Sequence, residues 1–129
     1  MIVFFSVSFW FNDSDMRKNN QMPIVQYVTN AYLSRFRFRI LSNREIYFRT
    51  TKTAGTNDFT SSGLNLQEDT WYHVVLIANA TGSEIFVNGE SVGSISNSNA
   101  WVADTGGYDT FIGRSNIDSA QNFYGIFQL

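Results

Sequence analysis

"WYHVVLIANATGSEIFVNGESVGSI", residues 71–95, is the stretch whose reading decides the fold. Its opening segment, "WYHVVLIAN", is the most apolar run in the second half of the chain. Read as a strand, it belongs in the middle of a sheet, covered on both faces. After the turn "ATGS", two alternating segments flank Asn88-Gly89. That pair favours the positive φ angles of a type I′ turn, and it is the strongest hairpin signal in the chain.

Working outward, the same two-residue period recurs. Phe5, Val7, Phe9 and Phe11 alternate with Ser6, Ser8 and Trp10, a strand pattern. The opening "MIVFFSVSFWF" lacks the charged start and small-residue cleavage site of a secretory signal, and it is too short to span a bilayer. A polar loop follows from Asn12 to Gln21, then "PIVQYV" (Pro23–Val28), with proline at the strand start where a missing N–H is tolerated. "RFRFRIL" and "EIYFRTT" flank "SNR", a hairpin arrangement. Residues 53–69 read as loop, with at most a short strand around Leu64–Leu66, and "YDTFIG" and "NFYGIFQL" read as the last strands. No segment longer than a turn shows the 3.6-residue apolar period of a helix. The expected fold is all-β, two antiparallel sheets packed as a sandwich.

Composition agrees. Twelve Phe, six Tyr and three Trp favour strands, and 129 residues suffice for one domain with a core of its own. The absence of cysteine excludes disulfides and thiolate metal sites. Residues 1–52 carry eight Lys/Arg against three acids, a balance of +5, and residues 53–129 carry one against eight, a balance of −7. The net charge is only −2. The split between the halves is too mild for a nucleic-acid protein, whose basic footprint dominates the domain, so no nucleic-acid partner is expected.

Several of these segments together resemble the laminin-G-like branch of the concanavalin A-like lectin and glucanase superfamily, which includes the pentraxins. The residues that carry the resemblance are Trp71, His73-Val74, Val87-Asn88-Gly89, Ile112-Gly113 and Phe123-Tyr124-Gly125-Ile126-Phe127, with Trp10 on the early strand. The resemblance covers nearly the whole chain and implies a jelly-roll sandwich, residues 1–129 forming a single domain. Members of the family usually have one or two strands before "FSVSFWF" and run on past "FYGIFQ". The sequence is therefore expected to be a segment of a larger polypeptide or assembly, with open sheet edges that invite self-association.

No catalytic constellation is visible, and the chain is expected not to be an enzyme. Glycosidases of the superfamily use carboxylates spaced along one strand, whereas Glu68-Asp69 are adjacent and Glu45, Glu84 and Glu90 stand alone. His73 is the single histidine and reads as a packed structural residue on the same strand face as Trp71. Calcium is the cofactor the resemblance implies. Asp104, Asp109, Asn116 and Asp118 would supply oxygen ligands at the sandwich rim, although Asp, Asn and Gly are equally turn formers.

Among aromatic residues, Trp101 in "SNSNAWVAD" is the first candidate for stacking on a sugar, or else it folds back onto the core. Tyr108 and Tyr32 come second, and Trp10 and Trp71 read as core or sheet-face residues. The sequons at Asn12 and Asn79 fall on expected loops.

"SRFRFRI", Ser34 to Ile40, alternates three arginines with apolar residues. Strand geometry puts Arg35, Arg37 and Arg39 on one face, where the hairpin adds Glu45, Tyr47 and Arg49. Such a face either pairs with acids of the second half of the chain or binds an anionic partner, which guanidinium forks suit. Pairing is expected for Arg37, and exposure for Arg35 and Arg39. The expected function is a non-catalytic carbohydrate-recognition module, with sulfated or uronic-acid glycans as its anionic ligands. The alternative is a structural or protein–protein interaction module of an adhesin, virion or other multidomain surface protein. Either reading belongs in an extracellular, cell-surface or virion setting, with a carbohydrate or a protein surface as partner.

Overall fold

Period-two alternation becomes strand in every segment where it was read. The computed structural model describes residues 3–17, 21–28, 34–52, 55–79, 82–96, 108–113 and 123–129. These contain β1 (Val3–Asp13), β2 (Gln21–Val28), β3 (Ser34–Ile40), β4 (Ile46–Lys52) and β5 (Gly55–Thr60). They continue with β6 (Trp71–Asn79), β7 (Gly82–Val87), β8 (Glu90–Ser96), β9 (Tyr108–Ile112) and β10 (Gly125–Gln128). No helix occurs among the described residues, so none is long and apolar enough to cross a membrane.

Two antiparallel five-stranded sheets result, one ordered β10-β1-β6-β7-β8 and the other β5-β4-β3-β2-β9. In the β1 sheet, register sets Phe9 opposite Val74 and Val74 opposite Val87, so one row faces inward. In the β3 sheet the matching row is Phe38, Phe48 and Phe59. The rows meet with Phe9 edge-on to Phe38, ring centroids 5.3 Å apart at 86°. Met16 and Leu66, from irregular segments, close the same core.

The β7–β8 turn has positive φ at Asn88 (52°) and Gly89 (84°), the type I′ geometry that the Asn-Gly pair specifies. Asn88 also fastens the turn to β6, its Oδ1 accepting from the His73 amide at 2.9 Å.

Four details depart from the sequence reading. β6 does stand in the middle of its sheet, but it is covered on one face only, because a two-layer sandwich offers no third layer. Residues 55–60 form the edge strand β5 although Phe59 is their only large apolar side chain, since six cross-strand partners on β4 hold them in register. Residues 64–66 are loop, as read, and Leu66 is buried there from irregular chain. Finally, β2 begins at Gln21, and Pro23 lies inside it at a register shift where no ladder donor is required. The sequon asparagine Asn12 lies within β1, not on a loop.

Candidate ligand-binding faces

Outward-facing positions of the β3–β4 hairpin carry the arginines. Register sets Arg37 opposite Arg49 and Arg39 opposite Tyr47. Like charges directly opposite one another repel, and β5 supplies the relief. Asp58, the register partner of Arg49, accepts a two-pronged fork from it, Nε to Oδ1 at 2.7 Å and Nη2 to Oδ2 at 2.8 Å. The guanidinium hydrogen bond holds the Asp58 carboxyl below its ordinary pKa, and the field of Arg37 adds to the effect. Tyr47 lies between two cations, with Arg39 Cζ 5.5 Å and Arg49 Cζ 5.6 Å from its ring centroid. Burial pushes the Tyr47 phenol up, so it stays a neutral hydrogen-bonding group.

This arrangement corrects the sequence reading at three points. The acid from the second half of the chain forks onto Arg49, while Arg37 feels it only through space, its buried Nε bonded to no described residue. Arg39 is half-buried beside Tyr47, not exposed. Glu45 does not join the face. It precedes β4 and turns to the following loop, accepting from the Ser61 hydroxyl and from the Leu64 amide at 3.1 Å.

The other sheet presents a different chemistry outward. Trp10 and Trp71 are 44% and 42% exposed, and Ile126 beside them is 60% exposed. They are sheet-face residues, one of the two placements expected for both tryptophans. Trp10 stacks on His73, ring centroids 4.7 Å apart at 29°, and His73 Nε2 lies 2.7 Å from Ser8 Oγ. The histidine thus has the packed, hydrogen-bonded role read for it, on the same face as Trp71.

One buried carboxylate escaped the sequence reading. Asp13 ends β1 fully buried, accepting from the Gln21 side chain at 2.8 Å and the Asp15 amide at 2.9 Å. Burial pushes its pKa up. Gln21 Oε1 in turn accepts from the Tyr124 amide at 2.9 Å, so the pair knits three separate segments together. No hydrophobic period marks such a group, and only the neighbouring Gln and Tyr positions reveal its role. Glu68 is likewise structural, accepting from the Met16 amide at 3.0 Å.

Tyr108 and Asp109 open β9, in register with Val28 and Tyr27. Arg35 lies in β3. Trp101, Tyr32, Asp104, Asn116 and Asp118 lie outside the described residues. Among the described residues no group of three His, Cys, Asp or Glu is placed to hold a metal ion.

Residues 4–128 match the Laminin_G_3 family, concanavalin A-like lectin/glucanases superfamily, and the chain belongs to it. Solved structures agree on the fold. The Ruminococcus gnavus IT-sialidase CBM40 bound to α2,3 sialyllactose is 17% identical, with a TM-score of 0.73 over 95% of this chain and 72% of that one. Mouse laminin α1 chain domains LG4-5 are 15% identical, with a TM-score of 0.67 over 95% of this chain and 33% of that one. Domain 4 of AbnA, a GH43 extracellular arabinanase from Geobacillus stearothermophilus, in complex with arabinotriose, is 12% identical. Its TM-score is 0.64 over 95% of this chain and 56% of that one. No curated protein sequence matches the chain.

Proposed function

We propose that the chain is a non-catalytic carbohydrate-recognition module whose arginine face takes an anionic glycan. The observation that carries this reading is the composition of the β3–β4 surface. Arg39 and Arg49 flank the Tyr47 ring, Arg37 stands opposite Arg49, and Asp58 is the one carboxylate among the described side chains there. The face keeps a positive excess, donors in planar forks that fit sulfate or carboxylate, and an aromatic ring beside them. Sandwiches of the same fold, from the sialidase and the arabinanase, were solved with oligosaccharides bound, which supports the class of ligand.

Heparin and sialyllactose serve as probes on an array, with and without calcium. Heparin affinity should fall steeply with salt as the polyanion's counterions are released. Arg37→Ser and Arg39→Ser should each weaken it about tenfold, the loss of one charge-assisted hydrogen bond. Binding that ignores both substitutions defeats the assignment to this face. A silent array combined with oligomerisation on sizing supports the alternative, a module that contacts protein.

A further inference from the structure

We propose that the outer face of the β1 sheet is a second binding platform, separate from the arginine face, that takes a neutral sugar chain by stacking on Trp10 and Trp71. The inference goes beyond the anionic reading and does not depend on it. Register pairs Trp10 with His73 and Asn12 with Trp71, so the two indoles sit diagonally on adjacent strands of one face. Diagonal neighbours lie about 7–8 Å apart, within the span of a disaccharide. Both rings are exposed, at 44% and 42%, although burial of so large an apolar surface would reward a packed position.

The Trp10 ring is also held. Trp10 rests on His73, and the 2.7 Å contact between Ser8 Oγ and His73 Nε2 fixes the imidazole beneath it. A ring already locked in place loses little conformational freedom when a ligand arrives. Amide side chains border it: Gln128 is the register partner of Trp10, and Asn12 stands between Trp71 and Ile126. Apolar faces with a few fixed polar groups are what a sugar's C–H face and hydroxyls require.

Charge decides between neutral and anionic ligands. The five strands of this sheet contain no lysine or arginine, and their acids are Asp13, which is buried, with Glu84 and Glu90 on β7 and β8. These strands therefore offer no guanidinium or ammonium group to a sulfate or uronate.

The test titrates the chain with cellohexaose, mannohexaose, laminarihexaose and arabinotriose, following tryptophan emission and saturation-transfer NMR. At least one should bind saturably. Trp71→Ala and Trp10→Ala should each weaken that binding about tenfold, the equivalent of one lost ring contact. Trp71→Phe should retain part of it, and all variants should keep the parent's heparin binding. Should Trp10→Ala fail to fold, Trp71→Ala carries the test alone. Failure of all four sugars to bind overturns the proposal, and so does binding that survives both alanine variants. Tryptophan variants that instead abolish self-association would also overturn it, marking a protein contact. Arg39→Ser should leave the neutral sugar bound, so this site and the arginine face can fail separately.

Discussion

On the inner side of the sandwich, Phe9 and Phe11 of one sheet meet Phe38 and Phe48 of the other, so each sheet offers its partner the same chemistry. On the outer sides the sheets diverge: β3 and β4 carry Arg37, Arg39 and Arg49, while β1 and β6 carry Trp10 and Trp71. Inward positions answer to a single demand, exclusion of water, which many apolar residues satisfy. Outward positions are free of that demand, so their chemistry is available for recognition. The fold therefore accounts for the shared interior and leaves the chemistry of the outer faces open.

The largest expected effect attacks what the sheets share. Phe38 is fully buried and touches Phe9 and Phe11, so Phe38→Ala should cost about 3–5 kcal/mol in denaturant unfolding. A loss near that of an exposed residue would show that the two inner faces do not form one core.

A smaller effect is expected where the sheets approach at β8 and β5. A Cβ on Gly93 would collide with the Phe59 ring, so Gly93→Ala should cost about 1–3 kcal/mol as the ring is displaced. Gly93→Ala combined with Phe59→Leu should cost less than the two single changes summed, and strict additivity would disprove the contact.

The smallest effect belongs to the arginine face. The Arg49–Asp58 side chains are 33% and 42% exposed, so Asp58→Asn should cost only about 0.2–1 kcal/mol at neutral pH. Its sign against pH is nonetheless defined. The Asp58 pKa is lowered by folding, so its stabilisation is present above the ordinary aspartate pKa and is lost as pH falls through the folded value. Asp13 acts oppositely: its raised pKa makes its charged form costly above the folded value, and acid relieves that cost. Asp58→Asn should flatten the acid-side loss of stability; an unchanged profile would remove Asp58 from the account of this face.

Sequence alone determined the strands other than β5, because alternation of Phe and Ser along β1, or of Arg and Phe along β3, admits one periodicity. It also determined the β7–β8 turn, since Asn88-Gly89 suits positive φ with no help from distant residues. Even the uneven placement of charge was legible, Arg35, Arg37, Arg39 and Arg49 falling on strands of one sheet. What tertiary structure alone decided were relations between residues far apart in the chain. Strand β5 exists because β4 holds it in register, not because "GTNDFT" prefers extension. Arg49, not Arg37, receives Asp58 because register sets those two opposite each other. Asp13 is buried because Gln21 and the Asp15 amide meet it there. Periodicity reports which way a side chain points; only the assembled sheets fix what it meets, since the partner arrives from a strand whose position the local sequence does not encode.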